Sequence, residues 1–195
     1  MTGWRVIKIV CGVLMGLTVL NPSAHAQLEE GTIIAEVYGG SYSPGPDALD
    51  DETVVGFRFG GMLSERVAVI GSLGLVEFDD TATDGAVSVD WDADVTLLDV
   101  TVAYVFRPAS RFAVAVGGGI GGAFTSFDGE LQTPNLRGRF EDIDEDSLTL
   151  NAVVGPVINL SSSVYLKPMF RARWFEVRED DEIDTETTLA VGVKW

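Results

Sequence analysis

The stretch Phe112-Ala-Val-Ala-Val-Gly-Gly-Gly-Ile-Gly-Gly-Ala-Phe-Thr-Ser126 alternates between large apolar and small side chains. Its five bulky apolar residues all stand at even positions, and glycine or alanine occupies every odd position from 113 to 123. Successive side chains of a β-strand point to opposite faces of the sheet. The stretch therefore predicts a strand with one bulky apolar face and one face of small side chains.

The same period of two recurs along the chain and predicts eight strands. We place them at residues 32–42, 53–63, 67–78, 95–106, 112–126, 147–160, 164–177 and 187–195. The connections at 64–66, 107–111 and 161–163 are short, whereas the other four are longer. After residue 26 no run of 18 apolar residues occurs, so a membrane-spanning helix is not expected. The alternation of short and long connections is typical of one all-β fold, an eight-stranded antiparallel up-and-down transmembrane barrel.

The bulky face of each predicted strand is expected to face lipid. The interior of an eight-stranded barrel is just wide enough for side chains to fill, so the face of small and charged residues fits inside. A soluble periplasmic barrel of the lipocalin type, with the apolar face lining a ligand cavity, is the alternative. Periodicity alone does not distinguish the two, because it does not tell inside from outside.

Two prolines interrupt the predicted sixth and seventh strands. Proline lacks the N–H group that a sheet ladder needs. If 161–163 is a hairpin loop, Pro156 and Pro168 lie opposite each other. We therefore predict a bulge or a weakened ladder at this point.

The N-terminal segment has the features of a secretory signal. Arg5 and Lys8 accompany an apolar run over 9–20, and Ala24-His-Ala26 offers small residues for cleavage. We predict a signal peptide at 1–26 and a barrel domain at 27–195. The single cysteine, Cys11, would leave with the signal, so no disulfide or thiolate metal site is expected. Removal of the signal peptide leaves 11 basic and 30 acidic residues. The resulting net charge of −19 disfavours nucleic acid as a partner.

A set of charged residues falls on the predicted inner face. It consists of Glu36, Arg58, Asp99, Lys167, Arg171, Arg173 and Lys194. Strand positions place Asp99 and Arg171 at similar depth, and Glu36 near Arg58 and Lys167. Charges in a narrow interior are costly unless they are paired, so we predict an ion network in the lumen. The five bases exceed the two acids by +3, which water or a loop carboxylate could offset. The network would either plug the barrel or line a narrow channel for ions or small solutes.

The long connections carry most of the acidic residues. Residues 43–52 hold four, and 77–94, 127–146 and 176–186 hold seven each. Several share the lipid-facing parity of their strands and would form a band of carboxylates if the strands extend above the bilayer: Asp90, Asp92, Asp94, Asp128, Glu130, Asp142, Asp144 and Asp146. Like charges beside lipopolysaccharide phosphates need a divalent ion between them, and calcium or magnesium takes oxygen ligands. Solvated loops, or a binding surface for a basic extracellular protein, are the alternatives.

Aromatic residues stand where the predicted strands would cross the two membrane interfaces, as amphipathic rings prefer. Tyr104, Phe106, Phe112 and Trp195 would mark one rim. Phe124 and Trp174 would mark the other.

Over residues 32–195 the chain resembles the small OmpA/OmpX-like outer-membrane barrels. The predicted signal, the eight alternating strands, the alternating loop lengths and the aromatic last residue carry this resemblance. It implies the outer membrane of a Gram-negative cell, with extracellular loops, periplasmic mature termini, and lipid and lipopolysaccharide as surroundings. It also implies a signal for the barrel assembly machinery in the terminal strand, at Leu189, Val191, Val193 and Trp195, although phenylalanine is usual at the last position.

No enzymatic role is expected. Some small outer-membrane barrels are enzymes, such as lipid A deacylases, palmitoyl transferases and omptin proteases. These enzymes resemble one another in needing a catalytic histidine. The only histidine here is His25, inside the predicted signal, so no ordinary base is available to activate serine or water. No organic cofactor is expected either. The sequence thus favours a non-enzymatic barrel that supports envelope integrity or presents acidic loops for interaction.

Overall fold

The eight predicted strands close into a barrel. A computed structural model describes residues 28–45, 50–84, 87–133, 136–175 and 183–195. The strands are β1 (Ile33–Ser43), β2 (Glu52–Met62), β3 (Val67–Asp84), β4 (Val87–Phe106), β5 (Phe112–Thr133), β6 (Leu136–Asn159), β7 (Val164–Phe175) and β8 (Ile183–Lys194). Each pairs with the next in antiparallel fashion, and β8 pairs with β1. The predicted eight-stranded up-and-down barrel is therefore confirmed.

The predicted signal peptide lies outside the described residues and stays a prediction. Among the residues that the structure describes, none belongs to a helix with the length and apolarity needed to cross a membrane.

Four of the strands are much longer than the sequence predicted, and β8 begins earlier than predicted, at Ile183. β3, β4, β5 and β6 have 18, 20, 22 and 24 residues, whereas the other four have 11 or 12. A membrane-crossing strand needs only about 9–11 residues. The acid-rich segments 77–94 and 127–146 therefore lie largely in strands, and the prediction that they are loops was wrong. Dense charge is compatible with a strand wherever its outer face meets water.

The long strands continue as a four-stranded sheet beyond the closed part of the barrel. The last β2–β3 pair is Val54–Val76, and the last β6–β7 pair is Thr149–Phe175. Above them, residues 77–84, 87–94, 126–133 and 136–144 pair only with one another among the described residues. We call this sheet the extension, the end of the barrel that carries it the long-hairpin end, and the opposite end the short-turn end. The β5–β6 register shifts within the extension, between Phe127 and Gly129.

The bulky apolar face points outward, as predicted. On β2, Phe57 and Phe59 are 41% and 52% exposed, while Arg58 between them is 1% exposed. On β5 the large even-numbered residues are exposed and Ala113, Ala115 and Ala123 are buried. The predicted rim aromatics are also exposed on this surface. An apolar surface of this extent is unfavourable in water, which argues against the lipocalin-type alternative.

The inner face departs from the sequence expectation of small and charged residues alone. An apolar cluster that includes Leu28, Met62, Ile70 and Val105 fills the short-turn end. A second apolar cluster, rich in aromatic rings, lies at the long-hairpin end, where Tyr38, Tyr42, Phe78 and Leu97 are buried. Most of the charged residues therefore occupy a middle layer between two apolar layers.

The two prolines interrupt a ladder as predicted. β6 and β7 pair at Val154–Phe170 and again at Ile158–Leu166. Among the described residues, positions 155–157 of β6 form no ladder pairs with β7. The register is the same on both sides of the gap, so the ladder is weakened here without a bulge. Each proline still has a ladder partner in the strand on its other side. Pro156 lies opposite Val114 of β5, and Pro168 lies opposite Leu189 of β8.

Candidate functional site

The most ordered polar site is a network of buried charges in the middle layer of the lumen. The strand register brings its members to one height: Glu36 lies opposite Arg58, and Arg171 lies opposite Glu186. Each of these side chains occupies an inward position of its strand. The period of two thus aims them all into a bore that is about one side chain deep from every wall.

Glu36 on β1 joins three donors from two other strands, β2 and β7. Its Oε1 accepts hydrogen bonds from Lys167 Nζ at 2.9 Å and from the Tyr165 hydroxyl at 2.8 Å. Its Oε2 lies 3.4 Å from Arg58 Nη1. The carboxylate is 1% exposed, so these donors replace the water that it loses on burial.

Two further carboxylates join the three arginines. Glu186 accepts from Arg58 Nη2 at 3.0 Å and from Arg173 Nη1 at 2.8 Å. Asp99 accepts from Arg173 Nη2 at 2.9 Å and also from Arg171. Arg173 therefore bridges two acids with its two terminal nitrogens, a fixed geometry that guanidinium provides and ammonium does not.

Neutral side chains complete the network. Asn151 Nδ2 donates to Asp99 Oδ1 at 3.0 Å, and Ser72 Oγ lies 3.3 Å from Asp99 Oδ2. The Arg58 guanidinium carbon lies 3.7 Å from the centre of the Tyr38 ring, in a cation–π contact. The network thus combines ion pairs, amide and hydroxyl groups and an aromatic face.

The structure brings together the pairs that sequence positions placed at equal depth. Asp99 contacts Arg171, and Glu36 contacts both Arg58 and Lys167. Lys194 lies nearer the short-turn end, where its ammonium donates to Asn159 Oδ1 at 2.9 Å.

The sequence analysis missed two acids of the lumen, Asp184 and Glu186, which are 1% and 0% exposed. They were assigned to an acidic loop because the last strand was begun at residue 187. The signal was present, since both continue the inward parity of Thr188 and Ala190. With them, five buried bases face four buried acids, and the excess falls to +1.

Little space remains around the network. One cavity beside Arg58, Lys167 and Arg171 and another near Glu36 each have a volume of about 20 Å³. Such a volume holds roughly one water molecule. Gly121 leaves room for Asp99 and Thr149. Gly117 and Gly119 instead face the backbone of β4 closely.

The carboxylates proposed as metal ligands follow the outer face of the extension. Asp92 lies opposite Asp79 on one side and Asp128 on the other, and Asp90 lies opposite Glu130. Further along, Asp144 lies opposite Ser126 and Asp146 opposite Phe124. The side chains of Asp92, Asp94, Asp128 and Asp146 are exposed.

No group of three metal-ligating side chains occurs among the residues described. The side chains of Asp90, Glu130, Asp142 and Asp144 lie outside that description. A calcium or magnesium site therefore stays a prediction.

The terminal strand presents its apolar side chains unevenly. Leu189 and Trp195 are exposed on the outer surface, Val191 is partly buried, and Val193 is 8% exposed. Recognition of this strand by an assembly machinery stays a prediction.

A closed antiparallel barrel with an outward apolar band and a charged lumen defines an integral outer-membrane barrel. The family model of the outer membrane protein beta-barrel domain matches residues 11–195, and the chain belongs to this family. No curated protein sequence matches the chain.

Three solved structures share the fold. Neisserial surface protein A (NspA) is 10% identical with a TM-score of 0.59, over 85% of this chain and 100% of that one. OprG from Pseudomonas aeruginosa is 14% identical with a TM-score of 0.58, over 88% and 99%. Ail, the attachment invasion locus protein of Yersinia pestis, is 15% identical with a TM-score of 0.53, over 85% and 99%. At these identities the likeness shows the fold alone. The family membership places the protein in the outer membrane.

Proposed function

We propose that this protein is a non-enzymatic outer-membrane barrel with a closed lumen, whose acidic extension stands outside the cell and serves envelope integrity or surface interaction. The observation that carries the proposal is the extension itself. Strands of 18 to 24 residues are about twice as long as the bilayer needs, and their outer face changes from apolar to acidic. In this orientation the short-turn end and both mature termini face the periplasm.

The middle layer of the lumen supports a structural role rather than a conducting or catalytic one. Buried charges that are held in ion pairs are costly to move apart, and the adjoining cavities hold about one water each. No histidine occurs among the described residues, so the lumen offers no imidazole base. Purified protein in planar bilayers is expected to show no steady ion conductance, and a stable open current would contradict the closed lumen.

The charge of the extension favours cationic partners. Glu77, Asp92, Asp94 and Asp128 are exposed on its outer face. A structure of Ail contains the heparin analogue sucrose octasulfate, a polyanion. An acidic surface repels such a ligand, so a divalent ion that bridges to lipopolysaccharide phosphate, or a basic protein, suits this chain better.

Epitope insertion tests the orientation. An epitope inserted between Pro134 and Asn135, at the connection from β5 to β6, should bind antibody on intact cells. A matched epitope after Ala109, in the short connection from β4 to β5, should bind only after permeabilisation. The reverse pattern would place the extension in the periplasm and end the proposal.

A charge-neutralised variant tests the role of the extension. A strain that lacks the protein should be more sensitive to detergent, and the wild-type chain should restore resistance. The variant Asp92→Asn/Asp94→Asn/Asp128→Asn should restore it less well. The control Asp50→Asn/Asp51→Asn/Glu52→Gln removes the same number of charges at and just before the start of β2 and should behave like the wild type. Equal restoration by both variants would show that the extension has no special part in envelope integrity.

A further inference from the structure

The lumen contains a cavity of about 150 Å³ at its long-hairpin end, above the ion network. Five aromatic rings from five strands line it, together with one carboxylate: Tyr42, Phe78, Trp91, Phe127, Phe175 and Asp184 are the residues concerned. The interior of an eight-stranded barrel is normally filled by its own side chains. A void of this size therefore needs an explanation.

Two alanines at inward positions account for the space. Ala93 on β4 and Ala123 on β5 are 4% and 3% exposed and line the cavity. Ala93 lies opposite Phe127, and Ala123 lies opposite Leu97. Each large side chain thus faces a small one across the ladder, which leaves a gap among the rings, although Tyr42 and Phe78 pack edge to face. The atoms that line an empty gap lose dispersion contacts, which a bound molecule would restore.

The carboxylate in this lining is held in place. Asp184 is 1% exposed and accepts hydrogen bonds from the Tyr42 hydroxyl and from the Gly45 N–H, the latter at 2.7 Å. Its oxygens are therefore fixed beside the aromatic rings, on the lumen side of β8. Exposed acids outside the mouth, among them Asp92 and Asp94, add a negative potential that raises the local concentration of cations.

We propose that this cavity binds a small organic cation with an apolar body, such as a quaternary ammonium group or a single-ring amine. Aromatic faces attract cations through their quadrupole, and this is how proteins recognise quaternary ammonium ligands. The buried carboxylate adds a charge that a neutral ligand does not use. A metal ion is a poor occupant, because calcium takes about six to eight oxygen ligands and the lining is mainly apolar.

The size of the cavity limits the ligand further. A cavity of about 150 Å³ lined by apolar side chains holds a molecule of the size of benzene. Pockets for larger ligands have volumes of roughly 300–1,000 Å³. Peptides and oligosaccharides are thereby excluded as occupants of the cavity itself.

Two probes of equal shape test the proposal on the mature full-length chain, refolded in an uncharged detergent. Choline carries the charge, and 3,3-dimethylbutan-1-ol is its neutral carbon analogue. Each is titrated while the indole N–H signals of ¹⁵N-tryptophan-labelled protein are followed by NMR. Choline should shift the Trp91 signal saturably and bind roughly tenfold tighter than the alcohol. Trp174 and Trp195, exposed on the outer surface, report any partition into the micelle.

Three variants locate the effect. Asp184→Asn should remove the preference for choline over the alcohol, and Ala93→Leu should abolish the binding of both by filling the cavity. Glu65→Gln is the control, since it removes one exposed carboxylate in the short connection between β2 and β3, at the opposite end of the barrel, and should leave the preference unchanged. Heat-shifted gel mobility checks that each variant folds. If Asp184→Asn does not fold, Ala93→Leu still tests the proposal. Equal affinity for the two probes, no saturable shift, or unchanged binding in Ala93→Leu would overturn the proposal.

Discussion

The extension continues four strands of the closed barrel, β3 to β6, yet the two parts expose opposite chemistry. On β4 the outward residues Leu98, Val100 and Val102 are exposed and apolar, whereas Asp92 and Asp94, outward on the same strand, are exposed acids. The backbone period does not change between the two parts. What changes is the medium outside, which is hydrocarbon for the first set and water for the second.

The inner faces differ in the same way. Below, the lumen is enclosed on all sides, so charges such as Glu186 and Arg173 must pair. Above, among the described residues, no further strand pairs with the extension beyond β3 and β6, and acids such as Asp92 and Asp128 lie on the outer face, where water can solvate them. One strand can therefore carry charge on its inner face in the closed barrel and on its outer face in the extension. Only the buried charges need a partner.

The largest expected effect comes from removing a charge inside the closed barrel. Glu186→Gln keeps the side-chain shape but deprives Arg58 and Arg173 of a carboxylate. We expect the free energy of unfolding, measured by urea denaturation in lipid vesicles, to fall by about 3–5 kcal/mol. Glu77→Gln makes the same change on the outer face of β3 and should cost less than about 0.5 kcal/mol. Equal losses would show that the lumen network is not what holds the barrel together.

A smaller effect is expected for a charge placed on the outer face. Val100→Arg puts a guanidinium near the middle of the apolar part of β4 and should lower the unfolding free energy by about 2–4 kcal/mol in vesicles. Asp94→Arg lies on the same face of the same strand, beyond the apolar band, and should be nearly neutral. A large loss for Asp94→Arg would move the membrane boundary upward into the extension.

Glycine substitutions compare packing in the two parts. A Cβ at Gly192 would lie 2.6 Å from Tyr165 Cε2, and that ring is held by its hydrogen bond to Glu36. Gly192→Ala should therefore destabilise the barrel by about 1–3 kcal/mol in the same assay. At Gly138, in the extension, a Cβ meets nothing within 4 Å. If Gly138→Ala proved as costly as Gly192→Ala, the extension would be packed more tightly than its contacts show.

The smallest expected effect concerns divalent ions on the extension. If the carboxylate band binds calcium with a millimolar dissociation constant, ~5 mM calcium stabilises the folded state by about 1 kcal/mol. Sodium chloride of equal ionic strength is the control, and Asp92→Asn/Asp128→Asn should reduce the gain. An identical shift in this variant would mean that calcium acts elsewhere or through screening.

Sequence reasoning located the strands, the outward apolar face and the charged residues of the lumen. It failed where acid-rich segments were taken as loops without regard to the alternation that continued from the adjoining strand. The acids at 77–94 and 127–146 were read as loops, although their alternation continued that of the strands below. Asp184 and Glu186 were misplaced for the same reason, since dense charge obscured their inward parity.

By itself, the sequence determined the barrel. Strands with one apolar face can pair all of their backbone N–H and C=O groups in lipid only by closing into a barrel. Only the tertiary structure decided which charges meet and which space stays open. Register and closure bring side chains from strands far apart in sequence to the same height, as with Arg58 and Glu186 at 3.0 Å. The aromatic cavity has the same origin, since Trp91 and Asp184 become neighbours only when the eighth strand pairs with the first.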